Sequence, residues 1–121
     1  DIAPGEHESR ENIQIFKSPI SPQQAKEYYR KGDVVVGSLL LGHYLENQLK
    51  SFTTMVIGRS VPVLSDCLKE LERSSLISKY RRGLFQRLYL IRNMAIHQPG
   101  AIKEKDFDDA IKGMNQLDEQ L

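Results

Sequence analysis

Arg92 and His97 stand five positions apart at the end of an apolar stretch, Leu88-Tyr89-Leu90-Ile91-Arg92-Asn93-Met94-Ala95-Ile96-His97, that runs into Pro99-Gly100. Arginine carries a planar, permanently charged fork matched to phosphate oxygens. Histidine is the residue type that takes or gives a proton near neutral pH. Together they are the minimum equipment for breaking a phosphodiester without a metal. Asn93 lies four residues before His97, so on a helix surface the two can touch, and the amide can orient the ring or bind a ribose or phosphate oxygen.

Spacing sets a condition on this chemistry. In an ideal helix, residues five apart lie about 140° around the axis from each other, so Arg92 and His97 serve one phosphate only where the helix ends. The residue before Pro99 is biased away from helical backbone. A turn there, or a second copy of the chain, is expected to bring the two side chains together. Each residue also has a plainer role open to it. Arg92 can pair with an acid such as Glu46, and His97 can be a cation favoured by the helix dipole at a C-terminus. Glu46 can be an ordinary salt-bridge partner. His43 and Tyr44 can line the same cleft or simply pack. Arg81 and Arg82, with Arg87 one or two turns on, can contact an RNA backbone or form a solvated helix start.

The elements that must position these residues read as helices. Residues 1–20 carry charge, Gly and Pro with weak periodicity apart from Ile13-Gln14-Ile15-Phe16, and are expected to be an irregular leader; the domain proper spans 21–121. Ser21-Pro22-Gln23-Gln24 is a helix start with a cap, a first-turn proline and a glutamine three residues on. A break at Gly32-Asp33, with Asp33 as a new cap, precedes a long helix from Val34 to about Ile57 whose apolar residues recur at three- to five-residue steps. Gly37 and Gly42 inside it cost about 1 kcal/mol each relative to Ala, and close helix approach is the expected compensation. Pro62 opens a third helix through about Leu71, a fourth runs from Lys79 to about Ala95, and Asp106 caps a fifth containing Phe107, Ala110, Ile111, Met114 and Leu117. The expected fold is an all-α bundle of four to five helices with short connections.

Composition narrows the function classes. The 121 residues suit one domain, and no apolar run nears the roughly 20 residues of a membrane span. The single cysteine, Cys67, excludes an internal disulfide and a thiolate cluster, and it reads as a small, partly buried helix residue. With three histidines scattered along the chain, no metal-ligand spacing is present. Beginning at Asp1 without a basic n-region or apolar h-region, the chain reads as an excised domain rather than a secreted precursor, and a cytoplasmic setting is expected. Net charge is only +1, yet Arg73 to Lys103 holds seven cationic side chains and no Asp or Glu. Such segregation is what a phosphate-binding face requires; a solvated face balanced by neighbours in space is the alternative.

Arg92-Asn93-Met94-Ala95-Ile96-His97 resembles the signature of the HEPN superfamily, an arginine separated by four to six residues from a histidine, with a polar residue often following the arginine. The context is similar too: an apolar helix before the motif, a loop after the histidine, and a final capping helix. Leu45-Glu46 in an early long helix and Leu68-Lys69-Glu70-Leu71 before a polar joint resemble the branch found in uncharacterised bacterial proteins and defence systems. The resemblance spans roughly residues 23–121. It implies a helical bundle that pairs as a symmetric homodimer, with two motifs at one cleft. Active members are metal-independent endoribonucleases without a cofactor. By that likeness His97 is general base or acid, Arg92 holds the phosphate, and Asn93 positions the histidine or the substrate; RNA contacts from Arg81, Arg82 and Arg87 and support from Glu46 and His43 are read from the residue types and not from the family. It also implies a toxin or antiviral effector, held in check by an antitoxin or a fused sensor domain. Other members have no demonstrated activity, so a non-catalytic dimerisation or nucleotide- or protein-binding module is the alternative.

Overall fold

Ser21 begins the described part of the computed structural model, which covers residues 21–119. The irregular leader expected over residues 1–20 lies outside the described residues. Helix α1 (Pro22–Arg30) opens on the capping box: the Gln24 backbone N–H donates to Ser21 Oγ at 3.2 Å, and the Ser21 N–H donates to Gln24 Oε1 at 3.0 Å. Pro22 sits where a backbone N–H has no intrahelical partner to lose. The chain then reverses through Lys31-Gly32-Asp33, with Gly32 at φ +96°, into helix α2 (Val34–Ile57). Asp33 takes the N-cap position, but its side chain makes no capping hydrogen bond.

The glycine expected to permit close approach does so. A Cβ on Gly37 would lie 2.8 Å from the Ala25 carbonyl oxygen and 2.9 Å from the Tyr29 nitrogen, both backbone atoms of α1. Only a residue without a side chain allows α1 and α2 to pack at this distance.

Helix α2 stops at Gly58, left-handed at φ +85°, whose N–H reaches the Thr54 carbonyl at 2.8 Å. Helix α3 (Leu64–Ser74) starts after Pro62 rather than at it, because Val63 is still extended. Val61 is buried before the helix begins, and its carbonyl accepts from Cys67 Sγ at 3.3 Å. Helix α4 (Lys79–His97) is capped by Ser78 Oγ, which accepts from the Arg81 backbone N–H at 3.2 Å. It continues two residues past the expected end at Ala95. A single 3-10 turn, Pro99–Ala101, leads to helix α5 (Glu104–Glu119). That helix starts before Asp106. The Lys103 N–H donates to Asp106 Oδ2 at 2.8 Å, so the acid reaches back from the third helical position instead of capping from the front.

The described residues therefore form an all-α bundle of five helices. Leu41, Leu45 and Leu49 of α2, Cys67 and Leu71 of α3, Phe85 and Leu88 of α4, and Phe107 and Ala110 of α5 are fully shielded and share one core. Helices α1 and α5 lie antiparallel, with Tyr29 and Phe107 rings 5.2 Å apart and a Lys26–Asp108 bridge at 2.6 Å. No helix among the described residues is long and apolar enough to cross a membrane.

Candidate active site

Helix α2 meets the last turns of α4 through one row of residues at four-residue steps. Ser38, fully buried, donates from Oγ to the Pro99 carbonyl at 3.3 Å. Gly42, one turn on, lies so close that an added Cβ would stand 2.7 Å from Ile96 Cγ1 and 3.4 Å from Ala95 Cβ. Glu46, the next in the row, is ion-paired with Arg92. Further along, Phe52 and Phe85 stand with ring centroids 6.1 Å apart. The two helices run antiparallel. Small residues at 38 and 42 draw the backbone of α4 inward at Ile96 and Pro99, and the longer Glu46 then reaches Arg92. Gly42 thus shows the same close approach as Gly37, and here it fixes the helix that carries the motif.

Arg92 is held from two sides. Its Nη2 donates to Glu46 Oε1 and its Nη1 to Asn93 Oδ1 at 2.9 Å. Its Nε is buried with no hydrogen-bond partner among the described residues, a condition that ordinarily costs about 1–3 kcal/mol. Guanidinium has five N–H groups, so one on each terminal nitrogen remains for a ligand. Glu46 also accepts from Lys50 Nζ at 3.2 Å. Partial burial pushes the Glu46 carboxyl up, but hydrogen bonds and charge from Arg92 and Lys50 outweigh it, and the carboxyl titrates below its ordinary value.

His97 is the last helical residue and is exposed. Backbone turns at Gln98, whose N–H still reaches the Met94 carbonyl at 2.9 Å. Arg92, Asn93 and His97 line one open cleft of about 490 Å³ together with Tyr89, Met94 and Gln98. Helix α4 runs regularly through His97, so the chain turn falls after the motif and does not swing the imidazole towards Arg92; the two residues border the same cleft from positions about 140° apart on the helix. Every lining residue comes from α4 or its cap, so one wall of the cleft is present and the opposite side is open.

Other residues singled out in the sequence fall elsewhere. His43 and Tyr44 are half-buried on α2 and do not line the cleft; the Tyr44 hydroxyl accepts from Gln48. Arg81 and Arg82 are half-buried near the start of α4, and Arg82 Nε has no hydrogen-bond partner among the described residues. Arg87 is exposed and bridges Asp109 of α5 at 2.8 Å. Cys67 is fully buried, and desolvation pushes its thiol up, away from a nucleophilic role. Among the described residues no group of three or more His, Cys, Asp or Glu could hold a metal ion. Tyr89, Met94 and Gln98 were not singled out, although Tyr89, Asn93 and His97 stand at four-residue steps and so share a helix face. No protein-family model, curated protein or solved structure matches the chain.

Proposed function

We propose that the chain is a HEPN-type, metal-independent endoribonuclease domain that acts as a homodimer. One observation carries this reading: an arginine with two spare donors, an amide and an exposed imidazole line a single open cleft. Arg92 binds a non-bridging phosphate oxygen and stabilises the charge that develops there. His97 takes the proton of the ribose 2′-hydroxyl, whose oxygen attacks the adjacent phosphorus. The bond to the 5′ oxygen breaks, and that oxygen receives a proton from His97 of a second copy, leaving a 2′,3′-cyclic phosphate and a 5′-hydroxyl. Asn93 Oδ1 holds the guanidinium at the cleft by accepting from Nη1.

A second copy is supported by the outer face of α4. Gln86, Leu90, Asn93 and His97 follow steps of four, three and four, the spacing of a helix–helix seam. Leu90, in the middle of that row, is 65% exposed. Packing there would supply the missing wall of the cleft.

One observation, the Arg92–Glu46 pair, favours a different function, a non-catalytic dimerisation module in which Arg92 is structural. Incubation of purified protein with a broad RNA panel in EDTA separates the two. A ribonuclease gives cuts that vanish in Arg92→Ala and His97→Ala. A folded wild-type dimer that leaves all the RNA intact is the module.

A further inference from the structure

The N-terminal half of α4 and the middle of α5 enclose a second pocket, of about 560 Å³, which does not touch the Arg92–His97 cleft. We propose that it binds one nucleotide of the single-stranded RNA whose scissile phosphate lies at that cleft. The proposal rests on the ribonuclease reading for the strand's destination, while the pocket itself rests on its own residues.

Lys79, Tyr80 and Arg87 from α4 face Asp109 and Lys112 from α5 across the pocket. Three cations against one carboxylate favour a phosphate. Asp109 is already committed: its Oδ2 stands 2.8 Å from Arg87 Nη2, which holds that side chain in one orientation while leaving it 60% exposed. Tyr80 is 58% exposed. An aromatic ring left open among cations is the arrangement on which single-stranded nucleic acids stack their bases, with little dependence on sequence. Two glycines shape the site. Gly113 brings α5 against Leu84 and Leu88, so that its neighbour Lys112 reaches the α4 side. Gly83 lines the pocket with nothing within 4 Å of an added Cβ, so a base or ribose can approach bare backbone. The volume lies within the usual range for small-ligand sites.

Both sites lie on one helix. From Lys79 to His97 is about 27 Å along the axis at roughly 1.5 Å per residue, and Tyr80 and Asn93 lie about 140° apart around it, so the strand follows a spiral path over the helix. A nucleotide held at Tyr80 would set how the strand enters the cleft, giving affinity and direction at a distance from the chemistry.

The test is fluorescence anisotropy with a short single-stranded 2′-O-methyl RNA, which cannot be cleaved, so binding is read apart from activity. Tyr80→Ala is expected to weaken binding roughly five- to a hundredfold, the usual worth of one stacked base. Lys112→Glu should weaken it and flatten its salt dependence. Both positions are exposed, and unchanged thermal melts would show that the fold is kept. Wild-type affinity in both variants, or no RNA binding by the wild type, overturns the proposal. So does a free mononucleotide that binds as tightly as the oligomer, since the pocket would then serve a soluble nucleotide. Loss of binding in Tyr80→Ala together with no cleavage by the wild type would leave the RNA site standing and sink the ribonuclease reading alone.

Discussion

Helix α4 is gripped differently at its two ends. Its C-terminal half meets α2 through Ser38, Gly42 and a shielded Glu46–Arg92 pair, each partner about one-fifth exposed. Its N-terminal half meets α5 through Gly113, two leucines and an Arg87–Asp109 bridge whose arginine stands largely in water. The first end is a fixed platform in which backbone approach and a partly desolvated charge network determine where the motif points. The second is a looser, wetter contact. Chemistry that depends on sub-ångström placement belongs on the fixed end, and strand capture, which tolerates variation, suits the other.

The largest effect should separate the two ends by function. His97→Ala is expected to lower RNA cleavage by about 10²- to 10⁴-fold, the usual worth of a general acid or base, with an unchanged melting temperature because the side chain is exposed. Loss of activity accompanied by unfolding would point to a structural histidine.

Packing should separate them next. At Gly42 the clash falls on Ile96 Cγ1, near the backbone, whereas at Gly113 it falls on Leu88 Cδ2, the far end of a mobile side chain. Gly42→Ala should therefore cost about 1–3 kcal/mol from overpacking, against about 1 kcal/mol regained from helix propensity. Gly113→Ala should remain close to wild type or exceed it. Urea midpoints of the two variants give the comparison, and a Gly113 variant that is the less stable would reverse it.

The charge network gives a smaller, pH-dependent difference. Glu46 is lowered below its ordinary value of 4.5 in the folded protein, so the stability it contributes is present above that value and is lost as pH falls through the depressed one. Glu46→Gln removes this contribution. The stability gap between wild type and variant should be widest near neutral pH and shrink as acid protonates the wild-type carboxyl. A gap that grows on acidification would mean that the sign is wrong. Smallest of all, Arg87→Ala should change stability by only about 0.2–1 kcal/mol, as exposed pairs do. A larger loss would show that the α4–α5 contact is as tightly held as α2–α4.

Much of this is legible in the sequence itself. Ser21 to Gln24 spelled a capping box, Gly58 a helix stop, and Gly37 and Gly42 a close approach, because each depends on local stereochemistry or on the absence of a side chain. Helix starts at Leu64 and Glu104 were misjudged for one reason: Pro62 and Asp106 have several allowed positions near a helix start, and tertiary burial of Val61 and the reach of Asp106 back to Lys103 decided between them. At the site, Arg92, Asn93 and His97 were found from residue type, and the Glu46 partnership was one of the roles left open. For His43 both lining the cleft and ordinary packing were open, because position on α2 alone does not say which neighbour that face meets. Lys112 was invisible, since only the packing of α5 on α4 carries it from an acidic helix into a cationic pocket.

The most direct test of the central claim is the chemistry of the cut ends. RNA cleaved in the presence of a chelator should carry 2′,3′-cyclic phosphate and 5′-hydroxyl termini by mass spectrometry, and one 2′-deoxy sugar on the 5′ side of the scissile phosphate should block that cut; 3′-hydroxyl and 5′-phosphate ends, or cleavage that continues at the deoxy position, would contradict attack by the 2′-hydroxyl at the Arg92–His97 cleft.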